Sequence, residues 1–129
     1  MKTYAAVLAS VITVVAILIG VFITKVSTLS SPERYFQKGK RYYELENYNE
    51  AINNLNEYLS IDSRSKPVSN VAESYFIVAD SLKKMKNYNL AKNRLSEIID
   101  GVGFEAYQLD AIIAYADIAR LQNSADQYI

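Results

Sequence analysis

The 129-residue chain has no cysteine and no histidine. Without thiols it forms no disulfide and offers no thiol nucleophile, and Cys/His metal sites are excluded with them. A serine nucleophile would find no imidazole base. The lack of cysteine is compatible with either redox environment and leaves the compartment open. An excess of basic charge is also missing: beyond Val26 the chain carries 12 basic and 14 acidic residues. Lys83, Lys84 and Lys86, and the pair Arg64 and Lys66, read as solvated helix ends, and nothing interleaves aromatic and basic residues as a nucleic-acid surface requires. The sole Gly-x-Gly, Gly101-Val102-Gly103, lacks the preceding strand, the third glycine and the Lys-Ser/Thr of a phosphate loop. Acidic pairs such as Glu44 and Glu46 sit at a helix end with no apolar enclosure to raise a pKa. No catalytic residue, cofactor or metal is therefore expected, and the chain reads as a non-enzyme.

Charge is nearly absent from one long stretch. From Ala5 to Ile23 the chain is apolar except for Ser10, Thr13 and Gly20, which at about 1.5 Å per residue reaches roughly 28 Å, close to a hydrocarbon core. The run is longer than the apolar part of a cleaved secretory signal and is followed by Thr24-Lys25-Val26-Ser27, not by an Ala-x-Ala-like site. Residues 1–26 are thus expected to be an uncleaved signal anchor, and no cysteine near Ile23 is available for a lipid. Lys2 and the amino terminus precede the run and Lys25 follows it, a bias that sets the amino terminus inside and the rest outside the cytoplasm. Ala5/Ala9 and Ala6/Ser10 have the small-residue spacing of packed membrane helices.

The remainder is organised by an internal repeat of 40 residues. Tyr35-Phe36 returns as Tyr75-Phe76, Gly39 as Ala79, Tyr42 as Leu82, Leu45 as Met85, Asn47-Tyr48-Asn49 as Asn87-Tyr88-Asn89, Ala51 as Ala91, Leu55 as Leu95 and Leu59 as Ile99. Such a period means stacked units, each too small to bury its own apolar face. The small residues at Gly39, Ala79, Ala51 and Ala91 leave room for helices to approach, and the aromatic rings fill the rest.

The pattern of large, Gly, Tyr, Tyr, Ala and large residues at Tyr35, Gly39, Tyr42, Tyr48, Ala51 and Leu55 resembles a tetratricopeptide repeat. Tyr75, Ala79, Leu82, Tyr88, Ala91 and Leu95 resemble a second. The resemblance implies an all-α solenoid of about two and a half helix hairpins after the membrane helix. Two departures in the second copy, Ala for Gly and Leu for Tyr, keep size class. The usual Pro after Asp62 is missing, and Ser63-Arg64-Ser65-Lys66-Pro67 lengthens the connection.

In order, a tether at 27–31 leads to a first repeat at 32–62, an extended loop at 63–69, a second repeat at 70–100 and a fifth helix at 104–122. The first helix should open at Ser30 or Ser31, the second at an Asn47 cap with Glu50 three residues on, and the third near Asn70 with Glu73 three residues on. Asp100-Gly101-Val102-Gly103 should close the fourth helix through a left-handed glycine. Ala106, Leu109, Ile112, Ile113, Ala116 and Ala119 set the period of the fifth. Asn123-Ser124-Ala125-Asp126-Gln127 has cap-like chemistry, so 123–129 is expected to start a partner helix of a cut third repeat, or to be a tail after a capping helix.

The resemblance further implies a protein-binding groove lined by the first helix of each repeat. Carried over by position, it places Glu33, Phe36, Lys40, Tyr43 and Glu44 there in the first copy, and Glu73, Phe76, Asp80, Lys83 and Lys84 in the second. Repeats that grip the carboxylate end of chaperones have a Lys and an Asn where this chain has Phe36 and Lys40, so the expected partners are helical or peptide segments with apolar side chains, or other repeat proteins. Similar bacterial architectures serve in translocon-associated chaperoning, envelope assembly and flagellar-motor collars. The expectation is a membrane-anchored scaffold in a larger envelope complex, with a cytosol-facing receptor for amphipathic helices, as in mitochondrial import, or a self-assembling structural subunit as alternatives.

Overall fold

The computed structural model describes residues 2–27, 31–62 and 64–127. Residues 28–30 of the expected tether at 27–31, with Ser30 as an alternative helix start, lie outside them, as do Met1, Ser63 and the last two residues; the tether's end residues, Ser27 and Ser31, belong to helices instead. Among the described residues all regular structure is helical: α1 (Lys2–Ser27), α2 (Ser31–Glu44), α3 (Tyr48–Ser60), α4 (Val68–Lys84), α5 (Tyr88–Ile99), a 3-10 turn at Glu105–Tyr107, and α6 (Gln108–Asp126).

The two hairpins α2–α3 and α4–α5 are closed by the same device, although neither turn contains a glycine. Glu46 and Lys86, 40 residues apart, take φ of 58° and 61°. The Glu46 N–H donates to the Tyr43 carbonyl and the Asn47 N–H to that of Tyr42, both at 2.9 Å, while Lys86 and Asn87 repeat the pattern onto Lys83 and Leu82. This left-handed closure satisfies carbonyls that a helix end otherwise leaves unpaired. The residue that ends one helix adjoins the one that starts the next: the Asn47 side chain accepts from the Glu50 N–H at 3.4 Å.

Burial repeats at the same interval. Ala51, Leu55 and Tyr58 on α3 and Ala91, Leu95 and Ile98 on α5 are all at most 1% exposed. Each hairpin packs internally, α3 lies on α4, α4 on α2, and α5 on α6, so one apolar core runs from Phe36 to Ile118. Gly39 is required by this packing: a Cβ there would stand 2.4 Å from the Leu55 Cγ.

The structure departs from the sequence expectations at three helix ends. α4 begins at Val68, because Pro67 is extended at φ −61° and its carbonyl accepts from the N–H groups of Asn70 and Val71. Asn70 is therefore inside the first turn, not its cap. α5 ends on Asp100 in a helical conformation, and the left-handed glycine is Gly103, three residues later. Gly101 instead allows close approach, since a Cβ would meet the Glu97 carbonyl oxygen and the Phe104 ring. α6 starts at Gln108 after the 3-10 turn and continues through Asn123, Ser124 and Asp126. At Asn47 and Asn87 a half-buried tyrosine follows and anchors the turn, as Tyr48 does against Tyr43 at 6.1 Å. Ser124 has no ring to place there, and its hydroxyl bonds the Arg120 carbonyl within the helix at 3.1 Å.

The connection is held to α3 at Lys66. The Lys66 ammonium donates to the carbonyls of Tyr58 and Leu59 at 3.1 and 3.2 Å, and lies 5.3 Å from the Tyr58 ring centre. A cation on the last free carbonyls suits the negative helix end.

Side chains of α1 are described for residues 5–18, and every one is exposed. The expected span at 5–23 runs beyond them, and among the described residues no helix is long and apolar enough to cross a membrane.

A candidate interaction cleft

The first helices of successive units, α2, α4 and α6, follow two different spacings. Between α2 and α4 side chains bridge the seam, Lys40 to Glu73 at 3.1 Å and Tyr43 to Asp80. Ser74 and Ser81 on α4 are fully buried, and their hydroxyls donate back to the Asn70 and Ile77 carbonyls at 2.7 Å. Small side chains whose polar atoms are satisfied within their own helix let the neighbouring backbone come close.

A shift of 36 residues carries Tyr75, Val78, Ala79 and Leu82 onto Ala111, Ala114, Tyr115 and Ile118, which all join the same core. The same shift carries Ser74 and Ser81 onto Asp110 and Asp117. A carboxylate cannot be enclosed in a dry helix seam without a large desolvation cost. α6 packs chiefly on α5, and a cleft of about 510 Å³ opens between α4 and α6.

Tyr43 from α2 and Leu95 from α5 close two sides of this cleft. α4 contributes Phe76, Ile77, Ala79, Asp80 and Lys83, and α6 contributes Asp110, Ile113, Ala114, Asp117 and Ile118. The floor is apolar and the rim is charged. The Tyr43 hydroxyl donates to Asp80 Oδ2 at 2.5 Å, and Lys83 Nζ lies 3.1 Å from Asp80 Oδ1. That bond, then burial, then the charge of Asp80 push the Tyr43 hydroxyl up to about 12. Burial pushes the Asp80 carboxyl up, but the hydrogen bonds from Tyr43 and Lys83 and the charges of Lys83 and Lys84 outweigh it and hold the group below the usual range. Asp117 is held low by its 2.9 Å bond from Arg120. Asp110 has no ion-pair partner among the described residues.

Of the sequence-derived groove positions, Tyr43, Phe76, Asp80 and Lys83 meet at the cleft. Phe36 does not: at 2% exposure it is a core residue packed against Tyr58 at 5.2 Å, closed off because α4 lies directly over α2. Lys40 and Glu73 are joined to each other at 3.1 Å across that seam, and Lys40 covers the Phe36 ring at 5.2 Å. Glu33 accepts from Gln37 at 2.7 Å, Glu44 pairs with Arg41 at 3.5 Å, and Lys84 is exposed away from the cleft. Among the packing positions, Gly39, Ala51, Leu55, Ala79, Leu82, Ala91 and Leu95 are buried, Tyr35, Tyr75 and Tyr88 lie half-buried against the core, and Tyr42 and Tyr48 are half-exposed.

The entire α6 wall was missing from the sequence-derived set. The 40-residue period does not extend to the fifth helix, so repeat position alone carries no residue of α6 into the set.

Residues 32–65 match the tetratricopeptide repeat family. The match supports a tetratricopeptide-repeat protein. It covers α2, α3 and the start of the following connection, about a quarter of the chain. No curated protein and no solved structure matches the chain. A tetratricopeptide repeat suggests a protein-interaction scaffold and is generally non-catalytic, in keeping with a cleft whose floor is apolar and whose charged groups are mostly paired.

Proposed function

We propose that the chain is a membrane-anchored scaffold of the tetratricopeptide type, whose α4/α6 cleft holds a protein partner beside a bilayer. The observation that carries this reading is the contrast between two apolar surfaces. The cleft is a shaped, apolar-floored recess with a charged rim, suited to side chains of another protein. α1, by comparison, exposes Val7, Leu8, Val11, Ile12, Val14 and Ile17 around its whole circumference, each at least half exposed. A helix apolar on all sides needs either a surrounding core or lipid, and none of the described side chains of α1, residues 5–18, joins the core. Lys2 and the amino terminus ahead of the apolar stretch, against Lys25 behind it, favour the repeats on the outer face of a bacterial inner membrane. Tethering raises the local concentration of whatever the cleft binds, so a modest contact area suffices.

The test is fractionation of cells that express the full chain or a form lacking residues 2–27. Under an alkaline carbonate wash the full chain stays with the membranes and the shortened form is released. Protease added to intact spheroplasts cuts at Arg64 in the exposed connection. Release of the full chain by the wash, or protection of Arg64 until the membrane is opened, would overturn the anchor and the orientation respectively.

A further inference from the structure

We infer that the occupant of the α4/α6 cleft is a cationic amphipathic segment of a partner protein, one whose single face presents apolar side chains next to lysine or arginine. This rests on the reading of the cleft as a protein-binding site and narrows it to one chemistry. The rim carries Asp80, Asp110 and Asp117 against Lys83 alone. Asp80 is already engaged by Tyr43 and Lys83, and Asp117 by Arg120. Asp110 is left at the mouth with no ion-pair partner among the described residues, and the rim keeps a negative balance. The floor offers Phe76 from α4 and Ile113, one turn along α6 from Asp110 and 59% exposed. Leu109 and Ile112, 68% and 49% exposed, continue that apolar surface along α6.

Size restricts the geometry. A volume of about 510 Å³ admits a few large side chains but not a whole helix. A helix lying across the mouth can insert residues spaced at i, i+3 and i+4 onto Phe76 and Ile113 while a neighbouring cation reaches Asp110. An acidic segment of the same shape would set its carboxylates against Asp110, the rim carboxylate without an ion-pair partner among the described residues, and like charge at close quarters disfavours it.

The test uses the full chain in nanodiscs of zwitterionic lipid and two fluorescein-labelled synthetic peptides of about 14 residues, four helical turns. One has a leucine face flanked by lysine, and the other has glutamate at every lysine. Fluorescence anisotropy measures binding, and empty nanodiscs give the lipid contribution to be subtracted. The lysine peptide should bind at least about tenfold tighter than the glutamate peptide, weaken with added salt, and lose about tenfold in the double variant Asp110→Lys, Asp117→Lys. Ile113→Asp should weaken apolar insertion of either peptide. Asp110 and Ile113 are exposed, and an unchanged helical spectrum and melt confirm that these variants fold.

Tighter binding of the glutamate peptide, lost in Ile113→Asp, would overturn the charge assignment while leaving the cleft a protein-binding site. No cleft-dependent binding of either peptide would overturn the inference itself. A mass doubling of the nanodisc-embedded chain that the same variants abolish would overturn it in favour of a second copy as occupant. In each case the binding reading is judged separately by crosslinking in native membranes.

Discussion

Replacing Gly39 with alanine probes the closest helix approach in the molecule. The added Cβ would lie 2.4 Å from Leu55 Cγ, 2.5 Å from its Cδ2 and 3.3 Å from its backbone nitrogen. Carbon atoms in contact sit about 3.5–4.0 Å apart, so the overlap exceeds 1 Å, and Leu55 is fully buried with nowhere to turn. Overpacking of this kind costs about 1–3 kcal/mol, against which alanine returns about 0.8–1 kcal/mol of helix propensity. The net is a loss of up to about 2 kcal/mol. For a repeat body of this size each kcal/mol moves the melting temperature by about 4–8 °C, so Gly39→Ala should lower it by up to about 15 °C in far-UV circular dichroism of the detergent-solubilised chain. The sign should then invert in a Leu55→Ala background, where both offending atoms are gone and only the propensity gain of about 1 kcal/mol remains. Because Leu55→Ala alone costs about 2–5 kcal/mol, that pair is compared in a stabilising osmolyte. A higher melting temperature for Gly39→Ala in the unaltered background would refute the close approach of α2 to α3.

Three further outcomes are expected. Glu46→Gly and Lys86→Gly, at φ of 58° and 61°, should each stabilise by about 0.5–1 kcal/mol by removing left-handed strain, read as a higher urea midpoint with an unchanged slope. Tyr43→Phe should cost about 1 kcal/mol at neutral pH, the low end for a bond to a charged acceptor because both side chains are partly exposed. Since the Tyr43 pKa is raised from 10.0 to about 12 on folding, its contribution is intact below pH 10 and lost as pH rises toward 12. Asp80, depressed on folding, acts oppositely, its share being present above the ordinary carboxylate range and lost as pH falls through it. The alkaline stability loss should therefore be smaller in Tyr43→Phe than in the unaltered chain. Finally, Asp110→Ser with Asp117→Ser puts on α6 the small polar residue type that is buried at Ser74 and Ser81 of α4, so spin labels on Lys84 and Arg120 should move together if the carboxylates hold the cleft open. An unchanged separation would remove the carboxylates as the cause of the cleft.

Much of the fold could be read from residue spacing, because the 40-residue period fixes both hairpins at once. Ala51 with Leu55 and Ala91 with Leu95 are buried in matching places, and helices α3 and α5 begin where their asparagines stand. The hairpin turns were harder to explain from sequence, since left-handed geometry is carried by Glu46 and Lys86, residues that announce nothing, while the glycines that drew notice at 101 and 103 serve other ends. The start of α4 was misplaced because Asn70 resembles a cap, whereas the preceding Pro67 already commits the chain to the first turn. The cleft was half visible. Tyr43, Phe76, Asp80 and Lys83 follow from repeat position, but Phe36 occupies the equivalent place to Phe76 and is sealed because α4 packs on α2, whereas α6 packs chiefly on α5.

The measurement that bears most directly on the central claim is photo-crosslinking in native membranes from a photoreactive residue at Ile113, on the cleft, compared with one at Asn53, on the outer face of α3. The account predicts a discrete protein adduct from position 113 that is absent from position 53 and absent when residues 2–27 are removed. Equal labelling from both positions, or an undiminished adduct from the form without α1, would contradict a cleft that holds its partner beside the membrane.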